Sequence, residues 1–479
     1  MSRRFVSQNR GNHRGSPVAE TMPRCADSEP LMNLLGPFSR RSVLQVGATG
    51  VLGAALPQTV RAGVTSRAKS VIWVHLSGGP SQLDLWDPKP LAPDAIRGEF
   101  GAIETAIPGV YLGEHMPRLA KMLNRWTVLR TLTHGEGNHL LATHVALTGR
   151  PTPVPRGGSD LDRVQSRSDF PNMASALDYM HPRTDGVPTG VSLPNYFIEG
   201  PLTWPGQYAG FIGMKHDPWQ INQDPNSPSF KVDSLSLPQD VTPSRLVSRH
   251  ELTSVLEREN PMGGRAAGFK EQQELAFSLL TSAKVTKAFD IHSEPPETRD
   301  RYGRNKFGQS LLLSRRLVEA GVPLVQAAMG IVQTWDTHTD NWGKLKNELC
   351  PQLDQGLEAL MTDLETSGQL NDTIVVVMGE FGRTPRISTL PGQTLPGRDH
   401  WPYVYSGLFA GAGVRGGQVL GQSDATASYP VSRSWTPADV CTTIYNALGV
   451  DDHAELRDPL GRPNRLMNGE VIEPLYTGA

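Results

Sequence analysis

An α/β fold with a mostly parallel central sheet flanked by helices is predicted by three features of this sequence. Apolar, β-branched runs such as KSVIWVHL (69–76) and TIVVVM (373–378) have strand length and lack polar alternation, the pattern of strands buried on both faces. Segments of helical spacing alternate with them, as parallel crossovers require. The loops after these runs are glycine-bearing and carry carboxylates and histidines, at the strand ends where such sheets place their sites.

The elements follow in order. KSVIWVHL is read as a first central strand ending in the tight loop SGGPS. MPRLAKMLNRW (116–126) has helical spacing, TVLRTL (127–132) reads as a second strand, and HLLATHVALTGR as a short helix closed by Gly149. From 151 to 261 the pattern dissolves into Pro, Gly, Ser and Asp with scattered aromatics. That stretch is read as an irregular insertion holding short strands, because a structureless loop of such length does not suit a compact domain. Helices are expected over 264–285 and 308–321, a strand over 322–329 and a long helix over 344–368. After TIVVVM come a last strand near SGLFAGA (406–412) and a helix over 437–449. The whole of 69–479 is read as one domain.

With 46 Lys+Arg against 48 Asp+Glu the chain is close to neutral, so no global charge points to nucleic acid. In Ser39–Gly63, Arg40 and Arg41 precede a Gly/Ala-rich apolar run ending at Val60-Arg61-Ala62, which resembles a twin-arginine export signal. The run is short for a membrane span. Residues 1–38 are polar and rich in breakers, read as a disordered extension or an over-extended start with Met32 as initiator. Export to the periplasm or beyond, through the twin-arginine machinery, is therefore expected. Only three cysteines occur, and neither Cys350 nor Cys441 lies in a C-x-x-C pair, which leaves no cysteine zinc site and no disulfide framework.

Ligand-type chemistry gathers in QTWDTHTDNW (333–342). Asp336 and His338 are two apart, so in an extended loop they face the same side. An imidazole with a carboxylate suits zinc, manganese or iron, whereas calcium takes oxygen alone. The same residues can also serve as a helix cap and a packed ring. GEFGRTP places Glu380 just past a strand, with Arg383 able to grip an oxyanion. GRDHWP offers Asp399 and His400, which point oppositely in an extended chain, so one suits a ligand and the other an orienting partner. His139 and His144 lie five apart on a helix, slightly off one face, so one reaches a site while the other packs. Asp84 and Asp87 are ligand candidates or ordinary turn residues, and Asp84 is the better candidate.

Taken in order, VIWVHLSGGPSQLDLWDPKP, HLLATHVALTGR, YGRNKFGQSLLLSRRLVEAGVPLVQ, WDTHTDNW, VVVMGEFGRTP and GRDHWP resemble the exported bacterial family called domain of unknown function 1501, often labelled sulfatase-like. The resemblance spans about 70 to the C-terminal end. It implies membership of the alkaline phosphatase superfamily, with a sulfatase-like sandwich, metals at strand ends and hydrolysis of phosphate or sulfate esters. Asp336 and His338 resemble the superfamily's aspartate and histidine ligands, and His400 its late histidine. Glu380-Phe381 stands where Asp-His is usual, so Glu380 keeps a ligand role while Phe381 cannot coordinate. At the nucleophile position the chain offers His139, with Thr143 nearby. No C-x-P-S-R signature occurs, which argues against a formylglycine sulfatase, and Ser77-Gly78-Gly79 replaces the aspartate expected after the first strand.

Two functions follow as expectations. In the first, a hydrolase of a small-molecule or polysaccharide ester holds a divalent metal through Asp336, His338, Glu380 and His400, with Asp84 and His144 as further candidates. Arg383 neutralises the oxyanion, and Thr143 or an activated water attacks. In the second, a non-catalytic module of the same fold binds a glycan or a protein partner.

Overall fold

The computed structural model describes residues 67–152, 166–232, 280–331 and 333–478, with 235, 242, 244–249, 251, 252, 277 and 278 between them. The extension 1–38 and the export-type segment 39–63 lie outside the described residues, as does most of the helix expected over 264–285, whose last three positions begin the helix Ala283–Phe289. All described residues fall within the compact unit Gly63–Ala479.

Eight strands form the central sheet: β1 (Ser70–His75), β2 (Thr127–Leu132), β3 (Gly190–Leu193), β4 (Trp219–Gln220), β5 (Leu324–Ala328), β6 (Thr373–Met378), β7 (Tyr405–Ala410) and β8 (Gln418–Leu420). Their spatial order is β8-β2-β7-β6-β1-β5-β3-β4. Every pairing is parallel except those of β7, which runs against β6 and β2. The predicted mostly parallel α/β sheet is therefore the fold. The orientation of β7 was not foreseen, since an antiparallel strand buried on both faces reads like a parallel one.

The all-apolar strands are explained by two cores, one on each face. Along β1, Ile72 and Val74 enter one core, as does Leu76 just beyond the strand, while Val71 and Trp73 enter the other. The first core is covered by α-helices Lys306–Glu319 and Cys350–Thr366, the second by His139–Thr148 and Pro437–Ala447. Burying each large aliphatic side chain contributes about 1.5–3 kcal/mol. Cys350 and Cys441 are free buried thiols in different cores, so they do not form a bridge.

Two expectations change in detail. The stretch expected as an irregular insertion supplies β3 and β4, which hydrogen-bond into the main sheet beyond β5. The short run GVSL between Pro188 and Pro194 hid that role. The long helix expected over 344–368 is present in three pieces: Asn341–Lys344, a π turn Leu345–Leu349 and Cys350–Thr366. Pro351 has no N–H to offer the preceding turn, and the helix is wide just ahead of it.

Register sets the position of the site. His75 at the end of β1 pairs with Met378 of β6 on one side and Ala328 of β5 on the other, so three parallel strands stop at one rim. The loops after them therefore emerge side by side.

Candidate metal centre

Three histidines from three separate loops turn one ring nitrogen each toward Asp336. His139 starts its helix behind the N-cap Asn138, whose side chain accepts from Leu140 N–H. Its Nδ1 donates to Glu380 Oε1 at 2.7 Å. His338 Nδ1 donates to Asp399 Oδ1 at 2.7 Å, and His400 Nδ1 donates to the carbonyl of Gly137 at 2.7 Å. Because each Nδ1 meets an acceptor, each neutral ring carries its proton there and presents a bare Nε2. Those Nε2 atoms lie 3.4, 3.1 and 3.2 Å from Asp336 carboxylate oxygens for His139, His338 and His400 respectively.

These spacings fit a metal ion. Ligand atoms roughly 2.0–2.1 Å from a tetrahedral zinc stand about 3.3 Å apart. His338 Nε2 and His400 Nε2 are themselves 3.0 Å apart, a separation that a proton on one ring or a shared metal ion would bridge. His139, Asp336 and His400 form the one such group of three among the described residues, with His338 beside two of them. Imidazole donors of this kind suit zinc better than calcium, which takes oxygen ligands.

Without a metal the site favours a proton on His139 Nε2, which a metal would displace. Burial opposes the charge of His139, but the carboxylates of Asp336 and Glu380 outweigh it and raise the ring to about 9. Asp336 likewise sits against burial, and His139, His338, His400 and Arg383 hold its carboxyl far below the usual carboxylate range. Asp336 raises His338, whereas burial lowers His400. Positive charge is thus stabilised where a metal would bring it.

Glycines and two arginines hold the loops together. Gly78 has φ +109, and a Cβ there would stand 2.7 Å from the backbone nitrogens of Trp335 and Asp336. Its N–H donates to Glu380 Oε1 at 2.8 Å. Arg383 is fully buried and donates to the carbonyls of Gly78, Gly79 and Arg398 while its Nη2 lies 2.5 Å from Asp336. Arg398, also fully buried, pairs with Asp84 through Nε at 2.8 Å and Nη2 at 3.2 Å. The Phe381 ring packs against both His139 and His400, with centroids 4.8 and 4.7 Å away.

The residues singled out from sequence separate into distinct positions. Asp336, His338, His400 and His139 converge, and His139, expected at the nucleophile position, turns its Nε2 to Asp336 at 3.4 Å. Glu380, expected as a ligand, has Oε1 engaged by the His139 ring and by Gly78 N–H, and its Oε2 lies 3.7 Å from His75 Nε2. Arg383, expected to meet an oxyanion, is engaged by backbone carbonyls and Asp336. Asp84, expected as a ligand, is held by Arg398, Ser81 and Asn341. His144 Nδ1 turns to the Arg150 carbonyl at 3.0 Å, away from the group around Asp336. Thr143 is fully buried inside its helix and is absent from the walls of the cavity of about 650 Å³ that opens on His139 and His400. Sequence reasoning missed Arg398 and the Gly137 carbonyl; a backbone acceptor leaves no side-chain signal.

The chain matches the family described as a protein of unknown function (DUF1501) over residues 68–476, and it belongs to that family. No curated protein matches it. Among solved structures it is similar to the lipoteichoic acid synthase LtaP from Listeria monocytogenes, at 11% identity over 89% of this chain and 82% of that one, with a TM-score of 0.38. It is also similar to the PsFucS1 sulfatase from Pseudoalteromonas sp., at 14% identity over 87% and 73%, TM-score 0.37. A protein in the alkaline phosphatase superfamily from Vibrio parahaemolyticus is similar at 12% identity over 81% and 68%, TM-score 0.36.

Proposed function

We propose that this member of the family is an exported, metal-dependent hydrolase of a phosphate or sulfate ester of a small molecule or polysaccharide. The observation that carries the reading is the convergence of three imidazoles on Asp336, each anchored at Nδ1 by an oxygen acceptor. A zinc or manganese ion held by His139, His338, His400 and Asp336 would supply Lewis-acid polarisation of the ester and activation of water.

The chain's own residues then have defined tasks. Glu380, Asp399 and the Gly137 carbonyl hold the rings in the tautomer that leaves Nε2 bare. Arg383 fixes Asp336 and offsets its charge. Since Thr143 is buried away from the cavity wall, water is the attacking group in this reading. Export through the twin-arginine machinery rests on Arg40, Arg41 and the apolar run behind them. No helix among the described residues is long and apolar enough to cross a membrane.

The first test is elemental analysis of protein purified without added metal, for the wild type and for Asp336→Ala with His338→Ala. About one equivalent of zinc or manganese, lost in the double variant, followed by chelator-sensitive turnover in an ester screen, supports the hydrolase. A folded wild type that takes up no metal after reloading sinks it.

One feature favours a second reading, a non-catalytic module that binds a glycan. Trp401, next to His400, forms an aromatic trio with Tyr403 and Tyr429, with centroids 4.9, 5.5 and 5.8 Å apart. Both tyrosines are about half exposed, at 45% and 50%. Glycan binding without turnover of any ester, lost on Trp401→Ala, selects this reading.

A further inference from the structure

The end of β1 carries a further imidazole, set behind the centre. Side chains alternate along the strand, so Val71, Trp73 and His75 share the face covered by the helix His139–Thr148. His75 is fully buried, with the Phe197 ring at a centroid distance of 5.4 Å. In the register of β1 with β6 it sits opposite Met378, two residues before Glu380. Its Nε2 lies 3.7 Å from Glu380 Oε2.

Neither of these two buried atoms has a hydrogen-bond partner among the described residues. Glu380 Oε1, by contrast, is taken twice, by His139 Nδ1 at 2.7 Å and by Gly78 N–H at 2.8 Å. A buried carboxylate oxygen without a donor is costly, and the tautomer of His75 supplies one. Trp73 Nε1–H donates to His75 Nδ1 at 3.5 Å, and burial lowers the ring below its ordinary value, so the neutral imidazole carries its proton on Nε2. A shift of about 0.8 Å brings that N–H to hydrogen-bond length from Oε2. The centre already contains the same device on its other side. Asp399 meets His338 Nδ1 through Oδ1, while its Oδ2 accepts from Ser388 Oγ at 2.9 Å.

We propose that His75 is a positioning residue of the centre: its Nε2–H holds Oε2 of Glu380, which keeps Oε1 on His139 Nδ1 and turns His139 Nε2 toward Asp336. His75 belongs neither to the group of His139, Asp336 and His400 nor to the cavity walls, so it acts through Glu380. The proposal rests on the hydrolase reading only in naming what His139 serves. The hydrogen bond it concerns is a property of the metal-free protein.

Two readouts on the full chain test it. In metal-free protein, proton NMR follows the far-downfield resonance of the His139 Nδ1 proton, assigned by its loss in Glu380→Gln. Zinc affinity is measured separately, by competition with a chromogenic chelator. His75→Phe fills the space of the ring without a donor, and is expected to lose the resonance and to bind zinc about tenfold more weakly. His75→Gln, which places an amide N–H where Nε2 stands, restores both. His75→Asn, too short to reach Oε2, is expected to behave as His75→Phe and replaces it should that variant not fold. Val74→Ala, on the opposite face of β1, loses stability but keeps resonance and affinity, which separates positioning from loosening of the strand. A folded His75→Phe or His75→Asn with the wild-type resonance and affinity overturns the proposal, as does a Val74→Ala or His75→Gln that loses both. Failure of the hydrolase reading leaves a different mark: no metal or no turnover, with the His139 resonance still dependent on His75.

Discussion

Asp399 accepts a hydrogen bond from His338 Nδ1 at 2.7 Å across 61 residues of chain, while its neighbour His400 faces the centre. One dipeptide thus supplies a ligand-type group and the orienting partner of a different one. Alternation along extended chain leading into the short strand His400–Trp401 accounts for this arrangement.

Asp399→Asn keeps the size of the side chain and removes the charge that holds His338. Metal affinity, measured by competition with a chromogenic chelator, is expected to fall about 10–100-fold with the fold unchanged. An unchanged affinity would show that Asp399 does not orient a ligand.

Asp84→Asn leaves Arg398 buried without its counter-charge, which costs about 3–5 kcal/mol in denaturant unfolding. Asp84→Asn with Arg398→Met is expected to recover part of that loss. Metal content of folded Asp84→Asn stays at the wild-type level, because Asp84 serves the loop and not the ion. Loss of metal in a folded variant would return Asp84 to the ligand set.

Gly78→Ala forces a Cβ to within 2.7 Å of backbone at Trp335 and Asp336, in a conformation that disfavours any side chain. The loop carrying Asp336 must move. The expected outcome is a lower unfolding midpoint together with lost metal, whereas Gly413→Ala, with open space around it, is expected to retain its metal.

Asp424 accepts from the N–H groups of Thr426, Ser428 and Tyr429, at 3.0, 2.8 and 3.1 Å. Burial works against its charge, but these bonds outweigh it and hold the carboxyl below its usual value. A depressed carboxyl contributes stability above its unfolded pKa and loses it as pH falls through the folded one. Asp424→Ala is therefore expected to cost about 1–2 kcal/mol at neutral pH, and the gap to wild type to close in acid. A gap independent of pH would assign the loss to packing.

Much of the sheet was legible because a strand buried on both faces leaves an unbroken apolar run, as in TIVVVM, and its neighbours end in glycine. β3 was not, since GVSL is four residues among prolines and glycines, and only its pairing with β5 makes it a strand. The direction of β7 was equally hidden, because apolar burial carries no polarity.

In the site, the sequence alone determined which residue types were available and that Asp336 with His338 faces one side of a loop, as spacing is a local property of the backbone. Only the tertiary structure decided the roles. It set Glu380 behind His139, drew Arg383 inward to backbone carbonyls and gave Asp84 to Arg398, because a buried charge is stable only beside its partner, and the partners here lie some 240 to 310 residues away.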